Sequence, residues 1–337
     1  MISISGKKWV EKKVNRNSIE KIKQDFNFKD ILARLIVLRN YDITEINNIN
    51  NSLKLTNIFK NNSDFISASN ILLNSINEKE NICILGDYDV DGISATSLLI
   101  RYFKHINQNF FYYIPDREKD GYGATTKLFQ KLISKKPKLV IMVDCGSTSN
   151  KAIDYLNQNN IKSIIIDHHE MNRPYPKSNV IINPKKKTDY SEYDYLCSTT
   201  LTYFFIDMVI LKMKSKFNLS DFLIYVLLAT VCDVMPLRKL NKILTSNVLR
   251  NFKLENNLAF KTIFDELSLK KKLTVEDLGF LIGPIINSGG RLGYSNYGTE
   301  LLTSNNKDTL QKKTSELINL NNKRKKLEKN ILNEINF

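Results

Sequence analysis

Acidic residues and histidines follow three short apolar runs of this sequence. The runs occupy residues 82–85, 139–143 and 163–166. The residues that follow them are Asp87, Asp89 and Asp91 after the first run, Asp144 after the second, and Asp167, His168 and His169 after the third. Carboxylate oxygens combined with imidazole nitrogens suit divalent ions such as Mn²⁺. Because two of the chain's three histidines are adjacent in this set, the residues indicate a divalent-metal site.

These runs belong to an alternation of apolar strands and amphipathic helices. The predicted strands are residues 82–85, 110–114, 139–143, 163–166 and 180–182, and the helical stretches between them include 95–106, 125–134 and 151–159. Fully apolar strands that alternate with helices predict an α/β fold, with a parallel sheet flanked by helices on both faces. Since the carboxyl ends of parallel strands share one edge, the acidic residues and histidines are expected to converge in one crevice.

Each part of this set also has an ordinary explanation. Asp-x-Asp-x-Asp-Gly opens a calcium-binding EF-hand loop, but the twelfth position of such a loop is Leu98 here and a strand precedes the motif. Asp87 or Asp89 could cap the helix that begins near Ser94, and a histidine pair taken alone is more often structural than ligating. Clustered carboxylates repel one another unless cations neutralise them. The convergence of three segments therefore favours the metal site.

Two later segments carry weaker signals. Asp233 ends an apolar helical stretch beside Pro236 and could reach the crevice, although an aspartate at a helix end is usually solvated. A Gly-rich turn is predicted at residues 283–293. Glycines would let its backbone N–H groups approach an anion, and the Arg291 guanidinium would add a positive charge with two parallel N–H donors. A plain turn explains this spacing nearly as well.

The chain is predicted to have four parts: a helical extension at residues 1–75, the α/β core at 76–215, a helical part at 216–305, and a long charged helix at 306–337. The apolar residues of the last helix recur at helical spacing; they are Leu310, Leu317, Leu320, Leu327 and Ile331. An apolar stripe at the end of a chain suggests a segment that normally follows it. We therefore expect a truncated linker helix.

Composition narrows the class of protein. The 50 Lys and Arg residues exceed the 35 Asp and Glu residues, which gives a net charge of +15 and makes nucleic acid a candidate partner. A coding sequence rich in A and T would explain this excess equally well. The four cysteines form no CxxC pair, which argues against a sulfur-based zinc site. No apolar run suits a membrane span or a signal peptide, so a cytoplasmic location is expected.

Taken in order, four motifs resemble those of the DHH phosphoesterase family. They are Asp87-Tyr88-Asp89-Val90-Asp91-Gly92, Val143-Asp144-Cys145-Gly146, Asp167-His168-His169 and Asp233-Val234-Met235-Pro236. Two further stretches resemble the RecJ-type branch in particular: Ile114-Pro115-Asp116-Arg117 with Gly121-Tyr122-Gly123, and Gly283-Pro284-Ile285-Ile286-Asn287-Ser288-Gly289-Gly290-Arg291. The last stretch departs from the family's usual Gly-Pro-Arg at Ile285 and from its usual Ala-Ala or Ala-Ser at Ser288-Gly289. The resemblance also implies that the DHH-associated and oligonucleotide-binding domains of RecJ-type proteins are lacking.

The resemblance implies a role for each group of residues. Two Mn²⁺ or Mg²⁺ ions would be held by Asp89, Asp91, Asp144, His168 and Asp233, with Asp144 as the candidate bridging ligand. His169 would contact the scissile phosphate, and Asp167 would orient an imidazole without binding a metal ion. Asp87 could support the ligands in the same way, cap the helix or be a ligand itself. Substrate contacts are expected from Asn287, Ser288, Gly290, Arg291, Arg117 and Tyr122.

Three functions are consistent with this resemblance. The first is a 5′→3′ exonuclease that degrades single-stranded DNA to mononucleotides in DNA repair and recombination, with a helicase or a single-strand-binding protein as a candidate partner. The second is a DHH phosphodiesterase for short oligoribonucleotides or cyclic dinucleotides. The third is a non-catalytic nucleic-acid-binding module. Because all the ligand positions are filled, the sequence favours an enzyme, and the segment 283–291 favours the exonuclease.

Overall fold

The computed structural model describes residues 2–8, 10–49, 56–121, 123–186 and 190–335. The chain divides into two compact units, Met1–Lys54 and Leu55–Phe337. The described residues of the first unit include the helices α1 (Arg16–Phe26), α2 (Asp30–Leu38) and α3 (Ile43–Asn47). The helix α3 begins with a capping box, in which Asp42 and Glu45 each accept from the other's backbone N–H. These helices lie within residues 1–75, the region predicted to be a helical extension.

The second unit is built on a five-stranded parallel sheet. Its strands are β1 (Ile82–Leu85), β2 (Phe110–Tyr113), β3 (Leu139–Val143), β4 (Lys162–Ile166) and β5 (Val180–Ile182), in the order β2-β1-β3-β4-β5. Every pairing is parallel, and Val143 lies opposite Ile166 at the carboxyl end of the β3–β4 pair. The α/β fold and its parallel sheet are confirmed, and the predicted strands agree with the observed ones to within one residue at each end.

Helices cover both faces of this sheet. The helices of this part are α4 (Ser63–Asn77), α5 (Val90–His105), α6 (Thr126–Leu132), α7 (Asn150–Gln158), α8 (Ser198–Met213) and α9 (Leu223–Cys232). Successive side chains of a strand point to opposite faces. In β1, accordingly, Ile82 and Ile84 pack in the larger apolar cluster with α4, α5, α8 and α9, whereas Cys83 and Leu85 pack in the smaller one with α6 and α7. Burial on both faces explains why apolar residues predominate in the strands.

The rest of the second unit is helical, as predicted. It contains α10 (Lys239–Asn251), α11 (Leu258–Glu266), α12 (Val275–Asp277), a π-helical turn (Leu278–Ile282), α13 (Gly283–Arg291), α14 (Tyr297–Thr303) and α15 (Lys307–Ile335). Leu310 and Leu317 of α15 are buried, whereas Leu327 and Ile331 are about half exposed. Among the residues described, no helix is long and apolar enough to cross a membrane.

The predicted Gly-rich turn at residues 283–293 is wrong, because residues 283–291 form α13. A Cβ atom at Gly290 would overlap the backbone oxygen of Tyr88, and one at Gly289 would lie 2.7 Å from the backbone oxygen of Tyr294. The absence of side chains at these positions lets the helix approach its neighbours closely. The glycines thus serve helix packing, which a local reading of the sequence cannot distinguish from a turn.

Candidate metal centre

The first acidic loop connects β1 to α5. Asp89 is the N-cap of α5, and its Oδ1 atom accepts from the backbone N–H groups of Asp91 and Gly92, both at 3.0 Å. Asp87 is buried and accepts from the backbone N–H of Tyr88 at 2.7 Å. The helix cap predicted for Asp87 or Asp89 is therefore Asp89. The cap engages one carboxylate oxygen, so it leaves the other oxygen of Asp89 available to a ligand.

Helix α8 begins at the Asp91 carboxylate. The backbone N–H groups of Ser198 and Thr199 donate to Oδ2 and Oδ1 of Asp91, each at 2.8 Å. These are the first residues of a 16-residue helix, whose N-terminus carries partial positive charge. Neither residue was predicted from the sequence as part of the site. The run Ser198-Thr199-Thr200 ahead of an apolar stretch was the available signal, and it only indicated a helix start.

Asp144 follows β3 and is 1% exposed. Its backbone has φ +61°, a left-handed conformation that is uncommon for residues other than glycine. Its Oδ1 atom accepts from the Ser198 hydroxyl at 3.1 Å, while its Oδ2 atom is buried without a hydrogen-bond partner. Burial, together with the nearby carboxylates of Asp91 and Asp89, holds the pKa of Asp144 well above its usual range.

The turn after β4 presents its two histidines differently. Oδ1 of Asp167 accepts from the backbone N–H of His168 at 2.8 Å and of His169 at 3.2 Å, and it lies 2.8 Å from Nδ1 of His169. This hydrogen bond to Asp167 raises the pKa of His169 to about 9 against the effect of burial. Burial would raise the pKa of Asp167, but the hydrogen bonds from His169 and Ser147 hold it below its usual range. Asp167 thus favours the protonated form of His169 and contacts the ring at Nδ1.

His168 is the point on which carboxylates from three segments converge. Its Nε2 atom lies 3.3 Å from Oδ1 of Asp144, 3.4 Å from Oδ2 of Asp233 and 3.6 Å from Oδ2 of Asp91. Both ring nitrogens of His168 and Oδ2 of Asp233 are buried without a hydrogen-bond partner. Burial lowers the pKa of His168 against the effect of Asp91. A neutral imidazole among unpartnered carboxylate oxygens has the chemistry of a metal ligand set.

The donors form overlapping groups whose ligand atoms lie within 4.8 Å of one another. The groups are Asp87 with Asp89 and Asp144, Asp91 with His168 and Asp233, and Asp144 with His168 and His169. Burial and neighbouring carboxylates raise the pKa values of Asp87 and of Asp233 to about 7. Such a site favours bound cations, because they would remove the repulsion among the carboxylates. The residues present therefore fit two adjacent divalent ions. Asp87 belongs to one of these groups, so it is a possible ligand as well as a possible support for other ligands.

The predicted substrate-binding residues lie in different environments. Ser288 is buried, and its hydroxyl donates to the backbone carbonyls of Ile285 and Leu317, so it packs α13 against α15. Gly290 packs against Tyr88. Asn287 is half-buried and Arg291 is exposed on the same helix.

Arg117 and Arg291 are linked electrostatically to the loop that carries Asp87. Burial and the Asp87 carboxylate raise the pKa of Tyr88, and both arginines oppose this shift. Both guanidinium groups therefore favour the ionised form of Tyr88, the residue between Asp87 and Asp89 in the sequence. Tyr122, the remaining predicted contact, lies outside the described residues.

Several known proteins are similar to this chain. Residues 81–230 match the model of the DHH family, N-terminal domain. The single-stranded-DNA-specific exonuclease RecJ of Salmonella typhimurium is 30% identical over 275 residues, which cover 78% of this chain and 48% of the relative. RecJ of Bacillus subtilis is 23% identical over 334 residues, which cover 96% of this chain and 41% of the relative. The chain spans about half the length of the curated relatives it matches.

Two solved structures share the fold. RecJ from Thermus thermophilus in complex with Mn²⁺ has a TM-score of 0.78 at 19% identity, covering 94% of this chain and 46% of that one. A structure of exonuclease RecJ bound to manganese has a TM-score of 0.74 at 22% identity, covering 84% of this chain and 70% of that one. Residues 81–230 therefore form a DHH-family domain, in a chain that is similar to the RecJ exonucleases over most of its length.

Proposed function

We propose that this chain is a metal-dependent phosphodiesterase that degrades single-stranded DNA from the 5′ end to mononucleotides. The observation that carries the proposal is the convergence of Asp91, Asp144 and Asp233 on Nε2 of His168, with buried ligand atoms that lack partners. The choice of single-stranded DNA follows the names of the relatives, which are single-stranded-DNA-specific exonucleases. The 5′→3′ direction follows the resemblance of the motifs alone.

The ligand set supports two Mn²⁺ or Mg²⁺ ions. Asp89, Asp91, Asp144, His168 and Asp233 would hold them, with Asp144 as the candidate bridge because it belongs to two of the donor groups. When bound, such ions supply an activated water and stabilise the leaving oxygen of an in-line displacement. Asp87 is an additional candidate ligand by its position beside Asp89 and Asp144.

The chain's own residues would bind and orient the phosphodiester. His169 is held through Nδ1 by Asp167, and its Nε2–H would donate to a phosphate oxygen. A protonated imidazole is a stronger hydrogen-bond donor to an anion than a neutral one. The charge of His169 would therefore help to hold the scissile phosphate beside the carboxylate cluster and to stabilise charge that develops there.

The exposed side of the site offers further contacts to the strand. Arg117 and Arg291 both act electrostatically on Tyr88, and guanidinium groups bind phosphate in a bidentate manner. Asn287, half-buried on α13, could donate from its amide. We assign these three residues to the DNA backbone, whereas Ser288 and Gly290 hold α13 in place.

Degradation of a 5′-labelled and a 3′-labelled single-stranded oligonucleotide with added Mn²⁺ tests this function. We expect metal-dependent release of labelled mononucleotide from the 5′-labelled strand first, and its loss in Asp144→Ala. Hydrolysis that survives in Asp144→Ala would exclude the proposed centre. Cleavage restricted to di- to tetranucleotides would instead identify a phosphodiesterase for short oligonucleotides, and binding without cleavage would identify a non-catalytic module.

We also propose a setting for this activity and a division of the chain. The exonuclease would act in the cytoplasm during DNA repair and recombination, beside a helicase or a single-strand-binding protein. The four predicted parts, 1–75, 76–215, 216–305 and 306–337, remain our proposal for its organisation. Fractionation of cells and affinity capture of partners with the tagged chain test the setting, and recovery of the chain in a membrane fraction would contradict it.

A further inference from the structure

We propose that Asn183 is a positioning residue, which holds the Asp167–His169 turn against the end of β5 and so places the His169 imidazole. This inference rests on the proposed function of the centre. Asn183 itself touches no candidate ligand atom, and it belongs to none of the motifs that the sequence analysis selected. Its role would be to act through His169.

The turn after β4 is attached to the end of β5 at two points. The backbone N–H of Asp167 donates to the carbonyl of Ile182 at 3.0 Å. Two residues further on, the carbonyl of His169 accepts from Nδ2 of Asn183, also at 3.0 Å. The first attachment continues the β-sheet, and the second depends on a single side chain. Removal of that side chain would leave the histidine end of the turn without its link to β5.

Every polar atom of the Asn183 amide has a partner. The residue is 0% exposed. Nδ2 donates to the hydroxyl oxygen of Ser147 at 2.8 Å as well as to His169, and Oδ1 accepts from the backbone N–H of Lys185 at 2.9 Å. A carbonyl oxygen can only accept and a backbone N–H can only donate. These partners therefore determine the orientation of the amide, and an aspartate at this position would place an oxygen against the His169 carbonyl.

Ser147 connects Asn183 to the other support of His169. Its backbone N–H donates to Oδ2 of Asp167 at 3.0 Å, while Oδ1 of Asp167 lies 2.8 Å from Nδ1 of the His169 ring. Asn183 thus acts on His169 by two routes, directly on its backbone carbonyl and through Ser147 on the carboxylate that orients its ring. Both routes end at the same imidazole, and neither reaches a carboxylate of the ligand set.

Asn183 is itself anchored to the helix that precedes the sheet. Its backbone N–H donates to the hydroxyl of Tyr190 at 3.1 Å, and that hydroxyl donates to Oδ2 of Asp64 at 3.0 Å. Lys186 pairs with the same carboxylate at 3.1 Å. Asp64 lies in the first turn of α4, outside the residues that match the family model. The anchor gives Asn183 a rigid base on the side away from the site.

The expected effect is on catalysis more than on substrate binding. A misplacement of a catalytic group by about 1 Å can cost about 100-fold in rate, and loss of an outer hydrogen bond at a metal site costs about 10- to 100-fold. We expect Asn183→Ala to lower kcat by about 10- to 100-fold and to change KM by less than about threefold. Asn183→Asp, which preserves the shape of the side chain and loses its donors, should behave in the same way.

A double-mutant cycle separates this role from general damage to the fold. If Asn183 acts through His169, the Asn183→Ala substitution should have almost no further effect on kcat in a His169→Ala background. Asn57 provides a matched control, because its Nδ2 donates to the Phe204 carbonyl and to Asp207, and its Oδ1 accepts from the Phe59 N–H. Asn57→Ala loses the same number of hydrogen bonds elsewhere and should leave kcat unchanged. If Asn183→Ala lowers kcat by the same factor in the His169→Ala background as in the unmodified protein, the proposal is overturned.

Histidine ring signals in NMR spectra of the metal-free protein provide a readout that needs no activity. The chain has three histidines, so the rings of His105, His168 and His169 can be assigned by substitution. Asn183→Ala and Asn183→Asp should both shift the His169 signals and leave those of His105 in place, whereas Asn57→Ala should shift neither. Unchanged His169 signals in folded Asn183 variants would overturn the proposal. Absence of hydrolysis by the unmodified protein would instead reject the proposed function, and the NMR result would still decide the role of Asn183.

Discussion

The hydroxyl of Ser198 donates to Oδ1 of Asp144 at 3.1 Å, so the first residue of α8 supports a carboxylate that lies 54 positions earlier in the chain. The backbone N–H of the same residue donates to Asp91 at 2.8 Å. One helix start therefore positions two of the candidate ligands. Because the Ser198 N–H donates to Asp91 whatever the side chain, a substitution of Ser198 removes the contact with Asp144 and leaves the contact with Asp91.

Ser198→Ala should weaken Mn²⁺ binding by about 10-fold, at the low end of the range for a lost outer hydrogen bond at a metal site. Calorimetric titration of the metal-free protein measures this affinity. Ser288→Ala is the matched control, since its hydroxyl donates to two backbone carbonyls away from the site. That control should lower the free energy of unfolding by about 1 to 2 kcal/mol and leave Mn²⁺ affinity unchanged. Equal affinity of Ser198→Ala and the unmodified protein would contradict the proposed support of Asp144.

The metal-free protein should lose stability as the pH rises from about 4 to about 7. The pKa values of Asp87 and Asp233 are raised from 3.8 to about 7 in the folded chain. In this interval the folded state binds more protons than the unfolded state, and its free energy of unfolding falls with increasing pH. Bound Mn²⁺ should flatten this dependence, because a cation favours the ionised carboxylates.

Thermal unfolding at a series of pH values, with EDTA and with Mn²⁺, measures this dependence. Asp233→Asn removes one of the two titrating groups, so in EDTA the free energy of unfolding should depend less steeply on pH. The prediction fails if the free energy of unfolding in EDTA rises with pH over this interval, or if Mn²⁺ leaves its pH dependence unchanged. Either result would show that burial and mutual repulsion do not disfavour the ionised forms of Asp87 and Asp233.

Gly290→Ala should lower the free energy of unfolding by about 1 to 3 kcal/mol, the usual cost of forcing extra atoms into a packed interior. The added Cβ would overlap the backbone oxygen of Tyr88, so α13 or the loop that carries Asp87 and Asp89 must move. Denaturant unfolding measures the stability, and Mn²⁺ titration of the folded fraction should show weaker binding. If the variant is as stable as the unmodified protein, α13 or the loop can move to accommodate the Cβ atom without loss of free energy of unfolding.

Val234→Gly should raise the free energy of unfolding by up to about 1 kcal/mol. Val234 has φ +55° and is 86% exposed, so a β-branched residue adopts a left-handed conformation without burial of its side chain. Such a conformation costs roughly 1 to 2 kcal/mol, although glycine offsets part of the gain through the greater freedom of the unfolded chain. Val234→Ala keeps the Cβ atom and should change stability little. Denaturant unfolding of both variants decides the matter, and destabilisation by glycine would reveal a contact of the valine side chain.

The strands and their common edge could be predicted from the sequence because the signals are local. Each strand consists largely of apolar residues. Asp144 and Asp167 directly follow two of the strands, and Asp87 follows a third after Gly86. Parallel pairing then brings these residues to one edge whatever the details of the packing. The α/β class, the order of the strands along the chain and the gathering of the acidic residues needed no further information.

The neighbours that support those residues became known from the packing of distant elements. Ser198 meets Asp91 across 107 positions of the chain, and Asn183 meets His169 through a side-chain amide. Gly290 fits a turn and a closely packed helix equally well until the position of Tyr88 is known. Hydrogen-bond partners and close approaches depend on how distant elements pack, and no periodicity or spacing within one segment contains that information. The sequence thus determined where the acidic residues and histidines gather, and the packing of α8, β5 and α13 determined how they are held.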